Sequence, residues 1–222
     1  MPNLLGSEIR AFLFDLDGTL IDSRMDIANS VNAMLRITGR RELPLETITG
    51  FVGHGAPQLV ARVLGPGASE IESKTALSTF LAHYENHNLD QTRAYPGVKE
   101  GLRALADFPK AVLTNKPTKA SKQILEGLGL LEFFAAIYGG DSFDRKKPDP
   151  AGALSILGEL GVSPGHAAMV GDSDVDIQTA RNADMFAVAV TYGFGNYNRA
   201  THAADLYVDS LIELCSLSRD RA

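Results

Sequence analysis

The stretch AFLFDLDGTLID, Ala11 to Asp22, places aspartates directly behind a run of apolar and aromatic residues. The run Ile9–Phe14 predicts a short buried strand, and the chain must then leave the sheet and turn at Gly18. Asp15 and Asp17 stand where that turn begins. Carboxylates at the end of a buried strand are costly unless something cationic meets them. The stretch therefore predicts a cation-binding site at the end of the first strand.

The rest of the chain divides by its pattern of apolar residues. From about residue 95 onward helix-like spacing alternates with strand-like runs, at 110–115, 135–141, 167–172 and 186–193. Alternating strands and helices predict an α/β fold with a doubly wound parallel sheet. Residues 23–88 instead show helical spacing and no convincing strand. We expect residues 1–22 and 89–222 to form a Rossmann-like catalytic core, with 23–88 inserted as a helical cap.

Composition narrows the function classes. The chain has 222 residues and a net charge of −6, with acids and bases mixed throughout, which argues against nucleic-acid and anionic membrane surfaces. A single cysteine, Cys215, excludes an intrachain disulfide framework. The first residues lack the basic start and apolar run of a signal peptide. We expect a cytoplasmic monomer or homodimer that acts on a small molecule.

Polar clusters follow three of the predicted strands. Asp15 and Asp17 end the first, Thr114-Asn115 ends the second, and Gly171-Asp172-Ser173-Asp174-Val175-Asp176 follows the strand near Val170. Lys147, in KKPDP, opens the helix before that last strand. Ligands bind at the carboxyl ends of the strands in open parallel sheets. We therefore expect these clusters to converge on one edge.

Simpler explanations exist for two of the clusters. Ser173 to Asp176 also fits a helix capping box, and Thr114-Asn115 alone would suggest a turn. The acids from Asp172 to Asp176 resemble a calcium loop, but Ile177 stands where an EF-hand needs glycine. A pair of aspartates directly behind an apolar run is less easily explained as a turn, so the functional interpretation is favoured.

The donor types indicate which ligand the site takes. Asp15, Asp17 and Asp172 offer hard oxygen ligands without histidine or cysteine, which suits Mg²⁺ sharing its shell with a phosphate. Lys147, the Thr114 hydroxyl and the backbone amides that follow the second core strand could meet the phosphate oxygens. An aspartate facing the phosphorus could then attack it and form an aspartyl-phosphate.

Four motifs in order match a known family: DLDGTLID, LTNKP, KKPDP and GDSDVD. On these residues the chain resembles the haloacid dehalogenase superfamily over nearly its full length. Within that superfamily it looks like the phosphoglycolate phosphatases with a small helical cap. The dehalogenases of the superfamily lack an aspartate at the place of Asp17, so the resemblance favours hydrolysis of a phosphoester.

The resemblance implies roles for five residues near the reaction centre. Asp15 would be the nucleophile and a magnesium ligand. Asp17 would be the general acid and base, and its backbone carbonyl would bind magnesium. Lys147 would neutralise the nucleophile and the phosphoryl oxygens. Asp172 would complete the metal site, and Asp176 would support this site without binding the metal directly.

Substrate recognition is assigned to three further residues. Thr114 and Asn115 would hold the phosphate by resemblance, and specificity would lie in the cap. There the loop Gly53-His54-Gly55 either brings His54 to a substrate carboxylate or leaves it as a solvated loop histidine. The leading function is a magnesium-dependent phosphatase for a small metabolite, foremost 2-phosphoglycolate. A phosphomutase of sugar phosphates, a phosphatase for another small substrate and a noncatalytic phosphometabolite-binding module are the alternatives.

Overall fold

A parallel sheet of six strands forms the centre of the molecule, and the predicted α/β architecture is confirmed. The computed structural model describes residues 9–195 and 197–215. The strands of this sheet are β1 Ala11–Phe14, β4 Lys110–Leu113, β5 Ala136–Tyr138, β6 Ala167–Gly171, β7 Phe186–Val190 and β8 Leu206–Val208. Their spatial order is β5-β4-β1-β6-β7-β8, and all neighbours run parallel.

Eight α-helices accompany the sheet in the described residues. They are α1 Arg24–Ile37, α2 Leu45–Thr49, α3 Ala56–Leu64, α4 Glu70–His87, α5 Val98–Ala104, α6 Thr118–Gly127, α7 Ala151–Leu160 and α8 Asp174–Asn182. None of the helices in the described ranges is both long enough and apolar enough to cross a membrane.

Apolar residues cover both faces of the sheet. Side chains alternate along β1, so that Phe12 and Phe14 enter one hydrophobic cluster while Ala11 and Leu13 enter another. All four are buried, which explains the continuous apolar run in the sequence. Because both faces are covered, the polar residues that follow β1 are confined to the edge where the strand ends.

The segment predicted to be helical contains α1 to α4, and they form a helical block over residues 24–87. Helix α4 packs along α1 and also contacts α3. The chain enters and leaves the block through a short antiparallel ribbon, in which β2, Ile21–Asp22, pairs with β3, Arg93–Ala94. Sequence patterns did not reveal this ribbon or the sixth strand β8, because segments of two or three residues are too short to show a period.

Asp26, a buried carboxylate in α1, ties the helical block to the returning chain. Its Oδ1 accepts a hydrogen bond from the Gln91 amide at 3.0 Å. Its Oδ2 accepts from the amide and the hydroxyl of Thr92 at 2.8 and 2.7 Å. The side chain is only 1% exposed, so these donors replace water as the partners of the charge.

We expect Asp26→Ala to lower the free energy of unfolding by about 2–4 kcal/mol, because two buried donors of Thr92 and the part-buried amide of Gln91 lose their acceptor. Urea denaturation of the purified variant measures this change. Asp144→Ala, at an exposed position, is the control and should stay within about 0.5 kcal/mol of the parent protein. Equal stability of the two variants would contradict a structural role for Asp26.

Candidate active site

The polar residues predicted to converge do meet at one edge of the sheet. Strand β1 lies between β4 and β6, with Phe14 in register with Val112 and Val170. Asp15, Thr114 and Asp172 follow the ends of these strands in turn and are buried. Parallel pairing of adjacent strands therefore brings the three polar clusters together.

Three carboxylates form a tight group at this edge. Asp15, Asp172 and Asp176 each present an oxygen within 4.8 Å of the other two, and all three are buried. In the described part of the chain this is the only group of three or more acids, histidines or cysteines with that spacing. Oxygen donors without nitrogen or sulfur suit a hard divalent cation such as Mg²⁺.

Lys147 supplies the positive charge nearest to this group. Its Nζ lies 2.8 Å from Asp15 Oδ1 and 2.6 Å from Asp176 Oδ1, and its side chain is 2% exposed. Burial raises the pKa of Asp15 to about 6, although the Lys147 charge opposes this shift. The neighbouring Asp176 charge adds to it. The lysine thus compensates the carboxylates only in part.

Asp172 lies where the backbone of two loops approaches closely. Its Oδ2 accepts hydrogen bonds from the amides of Phe194 and Gly195 at 3.0 and 2.6 Å. A Cβ at Gly18 would stand 1.8 Å from the same oxygen, and Gly18 has φ +86°, so only glycine fits there. Burial, followed by the charges of Asp176 and Asp15, raises the pKa of Asp172 well above its ordinary value.

Asp176 is held from two sides. Lys147 binds its Oδ1, and its Oδ2 accepts from the amide and hydroxyl of Ser173 at 3.2 and 2.6 Å. The capping box suggested by the sequence is therefore present. Asp176 therefore has two roles, because the carboxylate that completes the capping box of α8 with Ser173 also holds the lysine beside Asp15.

The Asp17 side chain does not join the carboxylate group. It turns to Lys116, whose Nζ lies 2.9 and 3.0 Å from its two oxygens, and it accepts from Ser23 Oγ at 2.5 Å. Lys116 was not among the predicted site residues, although it stands inside the motif LTNKP. No spacing rule could find it, because Lys116 and Asp17 are 99 positions apart in the sequence.

Thr114 and Asn115 lie on the loop between β4 and α6. Thr114 Oγ1 accepts from the Lys116 amide at 3.3 Å, which leaves its hydroxyl proton free to meet a ligand. Asn115 Nδ2 donates to the carbonyls of Gly53 and Lys147, at 2.9 and 3.1 Å. The Asn115 side chain thus holds the loop of the helical block against the core, and its contact with a phosphate stays a prediction. Its backbone N–H has no protein partner in the described residues.

A cleft of about 210 Å³ opens above these residues, between the sheet edge and the helical block. The loop with His54 lines it, and Gly55 comes so close to the core that a Cβ there would stand 3.0 Å from the Asn115 carbonyl. Arg62 of α3 also lines the cleft, is exposed and forms no ion pair with any described residue. Burial and the Arg62 charge lower the pKa of His54, which favours the neutral form of this histidine.

Apolar side chains complete the cleft on the side of the helical block. They come from α1, α3 and α4 and are Ile27, Leu59, Phe80, Leu81 and Tyr84. The floor of the cleft, at the sheet edge, therefore carries the charged carboxylates. Its wall, on the side of the helical block, is apolar except for the charged side chain of Arg62. This arrangement fits a small ligand that carries a phosphate at one end.

Comparison with known proteins agrees with this geometry. The chain matches the family model of the haloacid dehalogenase-like hydrolases over residues 12–190. It is 39% identical over 219 residues to the phosphoglycolate phosphatase of Chromobacterium violaceum, and this match covers 96% of this chain and 97% of that protein. It is 40% identical over 196 residues to the phosphoglycolate phosphatase of Psychrobacter arcticus, with 84% and 85% of the two chains covered.

Solved structures show the same likeness in three dimensions. A crystal structure from Haemophilus somnus 129PT, described as a predicted phosphoglycolate phosphatase, superposes with a TM-score of 0.89. The two sequences are 32% identical, and the match covers 94% of this chain and 97% of the other. The similarity therefore extends over the sheet and the helical block together.

Thermal unfolding tests whether the carboxylate group binds Mg²⁺. In EDTA at pH 7 we expect Asp172→Asn to raise the Tm, because a raised pKa means that the ionised carboxylate destabilises the fold. Saturating MgCl₂ should stabilise the parent protein, by about 2.7 kcal/mol at 100 times the Kd, but not Asp172→Asn. Asp174→Asn, at the first residue of α8 and outside the group, should keep the magnesium effect. A full magnesium effect in Asp172→Asn would contradict the assignment.

Proposed function

This chain belongs to the haloacid dehalogenase-like hydrolases, and we propose that it is a magnesium-dependent phosphatase whose substrate is 2-phosphoglycolate. One observation carries the proposal. Asp15 lies at the end of β1 with Lys147 Nζ 2.8 Å from its carboxylate, beside two further buried acids at the floor of a cleft. A nucleophile, a compensating cation and a metal-binding group are thus assembled where a phosphate can enter.

The residues at the cleft floor fit a magnesium ion. Asp15 and Asp172 would hold it with their side chains, and Asp17 with its backbone carbonyl. Asp176 would support the site without binding the metal, because Lys147 and Ser173 already occupy its two oxygens. When bound, Mg²⁺ would neutralise charge on the carboxylates and on the phosphoryl oxygens.

Phosphoryl transfer would begin at Asp15. Its carboxylate oxygen attacks the phosphorus, the bond from phosphorus to the ester oxygen breaks, and an aspartyl-phosphate forms. Asp17, which lines the cleft, gives a proton to the departing alcohol oxygen. Lys147 and the Thr114 hydroxyl meet the charge on the phosphoryl oxygens.

Hydrolysis of the aspartyl-phosphate would reverse the role of Asp17. Its carboxylate takes a proton from a water molecule, and the resulting hydroxide attacks the phosphorus. The bond between phosphorus and the Asp15 oxygen breaks, which restores the carboxylate and releases inorganic phosphate. The helical block above the cleft would act as a cap that limits access of bulk water during these steps.

A small acidic substrate fits the side of the cleft that faces away from the metal group. Arg62 has no acidic partner among the described residues, and His54 in its neutral form can donate one N–H. Together they would meet the carboxylate of 2-phosphoglycolate. The names of the relatives from Chromobacterium violaceum and Psychrobacter arcticus support this choice of substrate. A cytoplasmic location and a monomer or homodimer stay predictions.

Asp15→Asn should lower the kcat/KM for phosphate release by at least about 10³-fold, because the amide cannot act as the nucleophile. Release of inorganic phosphate from 2-phosphoglycolate with MgCl₂ measures it. Asp144→Asn, at an exposed acid that does not line the cleft, serves as the control for loss of one negative charge. Near-normal turnover by Asp15→Asn would exclude Asp15 as the nucleophile.

We further expect a higher kcat/KM for 2-phosphoglycolate than for glucose 6-phosphate. His54→Ala and Arg62→Met should each lower the value for 2-phosphoglycolate by about tenfold or more, since each removes a hydrogen bond to a charged group. Turnover of 4-nitrophenyl phosphate, which lacks a carboxylate, should change far less. Arg103→Met, at another exposed arginine, is the matched control. Equal losses on both substrates would assign the two residues to packing of the helical block.

A further inference from the structure

Lys116 is a buried lysine in the wall of the cleft for which the reaction outlined above has no role. Its side chain is 5% exposed, and it directly follows the predicted phosphate-binding pair Thr114-Asn115. Burying an ammonium group is unfavourable unless opposite charge and hydrogen-bond acceptors surround it. The partners of Lys116 therefore indicate why a lysine stands here.

The first partner of Lys116 is the carboxylate of Asp17. Lys116 Nζ donates to both oxygens, at 2.9 and 3.0 Å, while Ser23 Oγ donates to Oδ1 at 2.5 Å. The Asp17 side chain is 13% exposed and lines the cleft. Donors from two distant segments thus restrain both oxygens, and a rotation of the side chain would break at least two of these contacts.

The second partner of Lys116 belongs to the helical block. Its Nζ lies 4.5 Å from the centroid of the Tyr84 ring in α4, within the range of a cation–π interaction. Tyr84 is buried and stacks on Phe80, with ring centroids 5.6 Å apart and an angle of 12°. The tyrosine is thereby fixed in the block. Lys116 contacts the loop after β1 on one side and α4 on the other.

We infer that Lys116 is a positioning residue that holds the Asp17 carboxylate towards the cleft and links its orientation to the helical block through Tyr84. The inference rests on the proposed role of Asp17 as the acid that protonates the leaving group. Its consequence is specific to that step. A substrate whose leaving group needs a proton depends on Lys116, and one whose leaving group departs readily depends on it less.

Phenyl phosphate and 4-nitrophenyl phosphate are aryl phosphates of similar shape that differ in how much their leaving group needs a proton. Phenol is a poorer leaving group than 4-nitrophenol, and kcat/KM reports the step in which that group departs. We expect Lys116→Met to lower the kcat/KM for phenyl phosphate by about tenfold or more beyond its effect on 4-nitrophenyl phosphate. Tyr84→Leu should shift the ratio in the same direction, whereas Tyr84→Phe, which keeps the ring, should not.

Lys119→Met is the matched control. Lys119 also links the core to α4, through an ion pair with Glu85, but that pair is exposed and does not contact Asp17. In Lys119→Met, the ratio of kcat/KM for phenyl phosphate to kcat/KM for 4-nitrophenyl phosphate should equal that of the parent protein. Should Lys116→Met fail to fold, Lys116→Arg takes its place, because the planar guanidinium keeps the charge but not the position of the ammonium. It should shift the ratio in the same direction.

Crystal structures of the metal-free parent and of the Lys116 variant provide a readout that does not need activity. We expect the Asp17 carboxylate to leave its position when Lys116 is replaced. An unchanged Asp17, or an equal loss on both aryl phosphates, would overturn the inference. A general rise in KM for both substrates would instead show direct binding of the phosphate by Lys116. If the parent protein releases no phosphate from 2-phosphoglycolate either, the proposed function fails, and the crystal structures still decide the position of Asp17.

Discussion

The close packing of Asp15, Asp172 and Asp176, with the Lys147 ammonium group paired to Asp15 and Asp176, is the constraint on which the rest of the structure depends. Among the described residues, three carboxylates present oxygens within 4.8 Å of one another and one cation contacts them, so negative charge is in excess. Like charges in a desolvated place oppose folding unless neighbours compensate them. The burial that raises the pKa of Asp15 also explains why a divalent cation is expected there.

The hydrogen-bond donors around the three carboxylates compensate part of this excess negative charge. Backbone amides of Phe194 and Gly195 and the hydroxyl of Ser173 donate to the carboxylates, which requires close approach of several loops. Gly18 permits such an approach because any side chain would collide with Asp172. The parallel sheet provides the framework, since it aligns the ends of β1 and β6, so that the residues after both strands lie at the same edge.

The helical block depends on contacts with the same edge. Asn115 donates to the Gly53 carbonyl, and Lys116 contacts the Tyr84 ring, so two consecutive residues after β4 bind two parts of the block. Asp26 secures the chain where it returns to the core. The cleft is therefore a joint product of both regions, and its charged floor and apolar wall come from different segments of the chain.

Local patterns were sufficient to predict five of the six strands of the sheet and the edge at which the site lies, because alternating apolar runs and the rule for parallel strand ends act over short stretches. They also identified Asp15, Thr114, Lys147 and Asp172 as residues that meet there. They could not tell that the Asp17 side chain turns to Lys116, whereas Asp176 belongs to a cluster that was expected at this edge. Nor could they find Lys116, because its partner lies 99 positions away and no local period records such a contact. The identity of each side chain's partner depends on how distant segments pack, and packing is a property of the folded chain.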